Sequence, residues 1–305
     1  MIYVIMHGRL GNQMFQYAFA KKIQKNRTDD ISIYFGRVNK NNAQDGWKDD
    51  LANFHVDNYI VEKNKTFLFT HMSLKQKILL FEYVAKCKLI KNIDDLIAFQ
   101  VKAQPELNSN GLYWIRNGYF EPVESKEKNV FVCGHFEHYS LYEGMEEELQ
   151  KQFIPKSLPR KENKYLYNVI NSTESVCISV RRGDFLSADN KNIYYVCNKA
   201  YFDRAIQKIR LLVPNATLIF FSDDIEWVKE NCKYDGNIYY ETEGNDVCEK
   251  IRLMSSCKHF IISNSTFSWW VQYLSSNKNK IVISPCIWKN NSNYKGLISK
   301  SFIRV

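Results

Sequence analysis

The feature of this sequence that most constrains its fold is a short apolar run that ends in charged residues. Residues 176–180 read Val-Cys-Ile-Ser-Val, and Arg181, Arg182, Gly183 and Asp184 follow directly. A short β-branched run of this kind is typical of a buried strand. Because neighbouring strand residues point to opposite faces, two adjacent arginines cannot both enter a core. The strand is therefore expected to end before Arg181, with Gly183 allowing a sharp turn.

Two arginines at a strand end predict an anion site. In open α/β sheets, ligands bind at the carboxyl ends of the strands, and the planar guanidinium matches phosphate in shape and charge. Arg181 and Arg182 would together suit a pyrophosphate. The alternative is a surface cluster of salt bridges between these arginines and Asp184.

Strand and helix patterns alternate along the chain and predict an α/β fold. A loop containing Pro155 and Pro159 suggests a division into domains at residues 1–155 and 156–305. A helix after residue 222 is expected to be capped by Ser222, and another surrounds Trp269. The other predicted elements are strands at 2–6, 31–35, 113–120, 130–133, 176–180, 217–221, 238–240, 260–263 and 281–284, and helices at 13–25, 74–86, 139–153, 199–212 and 246–257.

The charge of the chain is concentrated near its end. Of 305 residues, 45% are hydrophobic and 25% charged, which is typical of a globular protein, and the formal net charge is +9. Residues 250–305 contain nine Lys or Arg and no Asp or Glu. Such a surface favours an anionic ligand or an anionic membrane, unless it reflects only Lys- and Asn-rich drift in composition. Nucleic acid is not expected as a partner, because no nucleic-acid-binding motif accompanies the charge.

The cysteines argue against zinc. There are eight, without a C-x-x-C pair or a regular histidine spacing. Reduced thiols fit a cytoplasmic protein. The apolar N-terminus is too short for a signal peptide, and no apolar run reaches the length of a membrane span, so we expect a cytoplasmic location.

A second anion site is predicted at residues 264–266, Asn-Ser-Thr, which lie between a strand and a helix. Hydroxyls and unbonded backbone N–H groups at a helix start can hold an anion. Ordinary N-capping is the alternative. Two phosphate-suited strand ends in the same half of the chain, without evident metal ligands, describe a nucleotide-sugar site.

Four segments resemble the signature of the α-1,2-fucosyltransferase family. They are Gly-Arg-Leu-Gly-Asn-Gln-Met-Phe-Gln-Tyr-Ala at 8–18, Val-Arg-Arg-Gly-Asp at 180–184, Phe-Ser-Asp-Asp at 221–224 with Trp227, and the stretch 253–270. The resemblance implies an inverting, metal-independent galactoside α-1,2-fucosyltransferase that uses GDP-β-L-fucose as substrate and needs no cofactor. It also implies an α/β, GT-B-like fold with two Rossmann-like domains facing a cleft, and a role in surface glycan or O-antigen synthesis.

The resemblance also assigns residues to the site. Arg181 and Arg182 look like the ligands of the donor pyrophosphate. The donor pocket would be completed by the four residues Asn264, Ser265, Thr266 and Phe267. Asn12 and Gln13 would lie in the cleft near the transferred sugar or the acceptor, unless they form only a turn and a helix start. The second domain would thus bind GDP-fucose, and the first would be the acceptor side.

Three departures from the family pattern matter. Ser179 stands where the family usually has a histidine, two residues before the first arginine. Lys250 stands where a carboxylate suited to guanine is common. Glu249 beside it would substitute for that carboxylate, unless backbone groups bind the base. Residues 134–139 read Gly-His-Phe-Glu-His-Tyr, and His135 and Glu137 become candidates for the acceptor side.

The candidate catalytic groups are those that suit the negative charge developing on the departing GDP. Arg181, Arg182 and the helix start at Ser265 would stabilise the departing GDP. Asp184 is one candidate for the general base, although a structural pairing with an arginine is the simpler interpretation. The histidines His7 and His135 and the carboxylate of Glu137 are the other candidates, and the base stays unassigned. The rival functions are a fucosyltransferase of another linkage and a non-catalytic basic protein that binds nucleic acid or a membrane surface.

Overall fold

Two parallel sheets, each flanked by helices, organise the chain. The computed structural model describes residues 1–41, 48–116, 118–290, 292 and 295–305. One unit comprises Met1–Ala52 and Val56–Met145, and the other comprises Asn53–His55 and Glu146–Val305. Apart from Asn53–His55, the second unit comprises the chain from Glu146 onwards, and the helix that follows Met145 belongs to it.

The first unit contains five strands and five helices among its described residues. They are, in chain order, β1 (Ile2–Ile5), α1 (Leu10–Gln24), β2 (Ile31–Tyr34), α2 (Gly36–Asn41), β3 (Ile60–Val61), α3 (Phe67–His71), α4 (Leu74–Leu89), α5 (Ile93–Ser109), β4 (Leu112–Ile115) and β5 (Val130–Gly134). The all-parallel sheet has the order β3-β2-β1-β5-β4. Tyr3, Ile5 and Phe131 belong to its core.

The second unit contains six strands and seven helices among its described residues. They are α6 (Glu146–Gln152), α7 (Lys164–Ser172), β6 (Glu174–Val180), α8 (Lys191–Tyr194), α9 (Lys199–Leu212), β7 (Ala216–Ser222), α10 (Ile225–Asn231), β8 (Ile238–Tyr240), α11 (Val247–Ser255), β9 (His259–Ile261), α12 (Thr266–Leu274), β10 (Val282–Ser284) and β11 (Ile303–Arg304). This sheet is also parallel throughout, in the order β11-β10-β9-β6-β7-β8.

The strand orders determine where each sheet can bind a ligand. In the second sheet the chain proceeds from β6 to β8 on one side, and from β9 to β11 on the other. The direction of winding reverses between β6 and β9, and ligands of open α/β sheets bind at such switch points. In the first sheet the reversal lies between β1 and β5.

Several predicted elements differ from those observed. The helix expected at 139–153 is divided into a 3-10 turn, Tyr139–Leu141, and α6. Asp224, not Ser222, caps α10, because its carboxylate accepts a hydrogen bond from the backbone of Trp227. The strand at 281–284 is followed by β11, which the sequence did not indicate, and the sequence also gave no sign of α5.

The charges of the C-terminal segment are partly neutralised inside the second unit. Lys250 pairs with Glu241, Arg252 with Glu249, and Lys258 with Glu174. Among the described helices, none combines the length and the apolar character needed to cross a membrane. All eight cysteines are thiols, of which Cys286 is exposed and Cys87 half-buried.

Candidate functional site

The guanidinium of Arg181 is held by two carboxylates at the end of β6. Its Nη2 lies 2.5 Å from Oδ1 of Asp184, and its Nη1 lies 2.6 Å from Oδ2 of Asp223. This ion pair is the structural pairing of Asp184 with an arginine that the sequence offered as the alternative to a general base. Asp223 follows β7, which lies next to β6 in the sheet. An anion that bound both Nη atoms of Arg181 would have to displace these carboxylates.

Arg182 is held differently and presents part of its donor set. Its Nε donates to Oδ2 of Asp224 at 3.0 Å, and its Cζ lies 3.6 Å from the centroid of the Trp227 ring. Its backbone N–H donates to Asp223 at 2.9 Å. No residue in the part of the chain that the structure describes bonds its two Nη groups. A guanidinium fixed at Nε and over an aromatic face is preorganised for bidentate binding of phosphate.

Gly183 provides space rather than an unusual backbone conformation. The chain turns here from β6 into the 3-10 helix Gly183–Leu186, as expected, but the φ of Gly183 is not positive. A Cβ at this position would lie 2.5 Å from Oδ2 of Asp223, well inside van der Waals contact. The glycine therefore allows Asp223 to reach both the side chain of Arg181 and the backbone of Arg182.

The start of α12 lies across the switch point from the arginines, because β9 is the direct neighbour of β6. Ser265 is the N-cap residue, but its side chain makes no capping hydrogen bond. Its hydroxyl therefore leaves the N–H groups of the first helical turn available to an anion. Thr266 and Phe267, which form that turn, are half-buried.

Asn264 anchors the loops around this helix start. Its Nδ2 donates to the carbonyl oxygens of Tyr194 and Trp288, both at 2.9 Å. Its Oδ1 is buried and has no hydrogen-bond partner among the described residues. A buried acceptor without a donor is costly in a finished core. The asparagine side chain thus has a positioning role and one remaining acceptor.

Ser179, which replaces the histidine usual in the family, faces the interior. Its Oγ lies 2.6 Å from Oγ of Ser268 on α12, and Ser268 lies 3.0 Å from Oγ of Ser263. All three hydroxyls are buried. They connect the ends of β6 and β9 to α12. No titratable group occupies this position, so the side chain at 179 contributes packing and hydrogen bonds.

The carboxylate of Glu249 is bonded to other residues of the protein, and its expected role as a guanine reader stays a prediction. Its Oε1 accepts hydrogen bonds from the backbone of Arg160 (3.1 Å), from Nδ2 of Asn163 (2.7 Å) and from the hydroxyl of Tyr167 (3.1 Å). Its Oε2 pairs with Arg252. The side chain is buried within this network. Glu249 therefore connects α11 to the chain that precedes α7.

Lys250 brings a different carboxylate to the end of β7. Its Nζ donates to Oε1 of Glu241 at 3.1 Å and to the carbonyl oxygen of Ser222 at 3.2 Å. Oε1 of Glu241 also accepts from the backbone of Ser222 at 2.7 Å. Glu241 directly follows β8. Glu241 thus places a carboxylate beside Lys250, where the family pattern has a carboxylate at position 250 itself.

A second polar cluster lies at the switch point of the first sheet, between the ends of β1 and β5. Nη1 of Arg37 donates to Nε2 of His7 at 3.2 Å, and Sγ of Cys133 lies 3.6 Å from the same nitrogen. Burial, followed by the charge of Arg37, lowers the pKa of His7 to about 4. The imidazole is therefore neutral at pH 7, with its proton on Nδ1. Burial raises the pKa of Cys133 to about 12, so this thiol is not ionised.

Asn12, His135 and Glu137 lie together in this cluster. Nδ2 of Asn12 donates to Oε1 of Glu137 at 2.9 Å and lies 3.5 Å from Nδ1 of His135. The His135 and Glu137 side chains approach to 3.7 Å. Phe136 between them has φ of 51°, which is unfavourable for a residue other than glycine, and it stacks on Phe19 at 4.0 Å.

Gln13 bonds to the backbone outside this cluster, and its expected contact with the acceptor stays a prediction. Its Nε2 donates to the carbonyl oxygens of Gly8 and Lys48, at 3.1 and 2.8 Å, and its Oε1 accepts from the backbone of Asp50 at 3.0 Å. The side chain is completely buried. Gln13 therefore stabilises the turn after β1, as the turn-and-helix alternative predicts.

Sequence reasoning missed the partners that fix the arginines. In the sequence, Asp223, Asp224 and Trp227 stand out only as members of one family segment. The available signal was their position after β7, which had to neighbour β6 if the two strands formed one β-α-β unit. Arg37 and Glu241 carried no signal in the sequence, because their contacts depend on strands distant along the chain.

Comparison with known proteins identifies relatives along most of the chain. The profile of Glycosyl transferase family 11 matches residues 1–300. The chain is 29% identical to the alpha-1,2-colitosyltransferase of Escherichia coli, over 92% of this chain and 90% of the relative. It is 25% identical to the O-antigen biosynthesis glycosyltransferase WbnK of Escherichia coli, over the whole of both chains. The galactoside 2-alpha-L-fucosyltransferase Sec1 of Mus musculus is 22% identical over 49% of this chain and 45% of its own.

Comparison of structures supports the fold. The crystal structure of the α-1,6-fucosyltransferase NodZ, co-crystallised with GDP, matches with a TM-score of 0.50 at 13% sequence identity. The match covers 88% of this chain and 91% of NodZ. Together with the two parallel sheets, it confirms the expected α/β, GT-B-like architecture of two Rossmann-like units.

Proposed function

This chain belongs to glycosyl transferase family 11, and we propose that it transfers L-fucose from GDP-β-L-fucose to O2 of a terminal galactoside, with inversion. GDP-fucose is a substrate in this reaction, and the acceptor is a galactose-terminated glycan. The names of its relatives support both the α-1,2 linkage and a role in O-antigen or other surface glycan synthesis. A cytoplasmic location stays a prediction.

One observation carries this proposal most directly. At the end of β6, Arg182 presents two Nη groups that none of the described residues bonds. At the end of the neighbouring strand β9, α12 begins without a side-chain cap from Ser265. Both are suited to the charge of a diphosphate, and they flank the switch point where ligands of such sheets bind. We therefore assign GDP-fucose binding to the second unit.

These donors would act mainly on the leaving group. As the bond between the sugar and the phosphate breaks, negative charge accumulates on GDP, and fixed donors stabilise that charge more than they stabilise the ground state. Arg182 needs no rearrangement to do so. Arg181, in contrast, must exchange Asp184 or Asp223 for the phosphate.

The acceptor is assigned to the first unit, where the polar cluster lies at the switch point between β1 and β5. Within it, Glu137 is the carboxylate that accepts a hydrogen bond from Asn12 and approaches His135. We favour it as the general base over Asp184, because Asp184 already neutralises Arg181. His7 is less suited to binding a proton near pH 7, since its pKa is lowered to about 4.

The test is an acceptor and donor screen with analysis of the product linkage. The purified protein is incubated with GDP-β-L-fucose and galactose-terminated oligosaccharides, and the product is examined by NMR. We expect an α-fucosyl group on O2 of galactose. Since one relative transfers colitose, GDP-linked colitose is tested in parallel. Transfer to a different hydroxyl, or hydrolysis of the donor alone, would reject the proposal.

A further inference from the structure

The helix α4 exposes an apolar stripe that the fold does not use. Leu74, Ile78, Phe81 and Leu89 are 73, 51, 76 and 80% exposed. At roughly 100° per residue these four side chains fall within an arc of about 80° on one side of the helix. Single exposed apolar residues are common, but a continuous stripe of large ones marks an interaction surface.

The opposite side of α4 accounts for its packing. Tyr83 is buried there, and Leu79, Leu80 and Val84 pack against the core of the first unit. Gln76 also faces inward, donating to the carbonyl oxygens of Asn110 and Asn129. Because this inner face already attaches the helix, the outer stripe has no role in folding.

Lysines border the stripe on both sides. By the same helical geometry, Lys75 and Lys86 lie along one border, and Lys77 and Lys88 along the other. None of the four pairs with a carboxylate in the part of the chain that the structure describes. Residues 63–91 contain seven lysines and a single acidic residue, Glu82. The short helix α3, which lies within this segment and precedes α4, adds Phe69, which is 75% exposed.

From this arrangement we propose that α4, with Phe69 of α3, is a docking surface for an anionic lipid bilayer. An apolar stripe with lysines along both borders is the arrangement of a helix that lies in the membrane interface. The apolar side chains enter the acyl boundary while the lysine stems reach the headgroups. A second copy of the chain fits this surface poorly, since two such lysine borders would repel each other.

The proposal places membrane contact in the first unit rather than in the basic C-terminal segment. Three cations of that segment are already paired with carboxylates, as described above for Lys250, Arg252 and Lys258. The segment 63–91 combines unpaired charge with exposed apolar area. It therefore offers the two contributions, electrostatic and hydrophobic, that stable peripheral binding requires.

The test is flotation of the full-length protein with lipid vesicles, using phosphatidylcholine alone or with a quarter phosphatidylglycerol. We expect binding to the anionic vesicles and little to the neutral ones. Ile78→Ser/Phe81→Ser should weaken partition at least tenfold. Lys75→Gln/Lys77→Gln should weaken it about fivefold for each charge removed. Leu211→Ser, an equally exposed leucine on α9, is the matched control and should bind like the wild type.

The possible outcomes distinguish a lipid bilayer from a second copy of the chain as the occupant of this surface. Absence of vesicle binding, or binding that Ile78→Ser/Phe81→Ser leaves unchanged, overturns the proposal. A wild-type dimer in sedimentation that dissociates in that variant, without vesicle binding, assigns the stripe to a second copy instead. The altered side chains are exposed, so equal melting temperatures should confirm that the variants fold. Because flotation needs neither donor nor acceptor, its result is independent of the proposed transferase activity.

Discussion

The guanidinium of Arg182 lies over the indole of Trp227, with Cζ 3.6 Å from the ring centroid. The arginine comes from the end of β6 and the tryptophan from α10, after the adjacent strand β7. The contact fixes the orientation of a side chain that otherwise has many rotamers. It therefore bears directly on how well Arg182 can stabilise a departing diphosphate.

Replacing either partner should reduce transfer more than stability. Arg182→Lys keeps the charge but loses the bidentate match, and one charge-assisted hydrogen bond is worth about 1.5–3 kcal/mol. We expect kcat/KM for GDP-fucose to fall about ten- to a hundredfold. Trp227→Leu, which removes only the stacking, should cost about two- to thirtyfold. Steady-state kinetics and apo melting temperatures measure both effects.

The matched control for these variants is Arg204→Lys, an exposed arginine on α9, which should be kinetically silent. Arg181→Lys should also lower kcat/KM. It should in addition lower the apo melting temperature, since a single ammonium group cannot replace the two Nη groups that pair separately with Asp184 and Asp223. Normal kinetics in both arginine variants would refute the diphosphate assignment.

Adding one methyl group at Gly183 should disturb both arginines. In Gly183→Ala the new Cβ would lie 2.5 Å from Oδ2 of Asp223 and force that carboxylate to move. We expect a loss of about 1–2 kcal/mol in the free energy of unfolding and at least a tenfold fall in kcat/KM. Asp223→Asn, which weakens the ion pair without crowding, should show the kinetic loss with less destabilisation. Wild-type behaviour of Gly183→Ala would contradict the packing described here.

Glu249→Gln should distinguish a structural carboxylate from a guanine ligand. The change weakens the buried pair with Arg252, and we expect unfolding to become easier by about 2 kcal/mol. GDP affinity of the folded variant should be unchanged in isothermal titration. Glu226→Gln, at an exposed carboxylate of α10, serves as control. A selective loss of GDP over ADP binding would support the guanine-reading role instead.

The neutral state of His7 predicts an acid-sensitive fold. Its folded pKa of about 4 lies below the usual value for histidine, so the unfolded chain binds the proton first as the pH falls. The contribution of His7 to the free energy of unfolding is fully present above about pH 6.5. It declines towards pH 4 and is smaller by about 2 kcal/mol at pH 5. His7→Gln should flatten this decline in chemical denaturation at pH 7 and pH 5. His138, whose pKa burial also lowers to about 4, contributes separately. An equally steep decline in His7→Gln would argue against the assignment.

Transfer should persist in excess EDTA. The stabilisation that a divalent ion gives to a departing diphosphate is assigned here to Arg182 and the start of α12. We expect most of the activity to remain when metal-free buffers are used. Complete loss, restored by magnesium or manganese, would show that these groups are insufficient.

The sequence predicted the elements that define the architecture. The helix at 199–212 and the strand at 238–240 have the expected bounds. The helix has a strong periodicity, and turn residues flank both elements. In contrast, α5 was missed, since Pro105 inside it interrupts a helical pattern. β11 comprises two residues, too few for any periodicity to appear.

The strand end that carries the candidate site was predictable from the sequence, but the contacts of its residues were not. The rule that adjacent arginines must leave the core correctly ended β6 at Val180. The burial of Glu249 could not be foreseen, because Asn163 and Tyr167, which accommodate it, lie more than eighty residues earlier in the chain. Charged residues are rarely buried without such partners.

The distribution of the thiols offers a way to observe the site directly. Cys286 is exposed, six other cysteines are buried, and Cys87 is half-buried. Cys286 lies just beyond β10, which pairs with β9. It is therefore at the same edge of the sheet as Ser265. A maleimide fluorophore should therefore attach mainly at this one position. A fluorophore on Cys286 of the native chain could therefore report nucleotide binding in real time, without engineered cysteines.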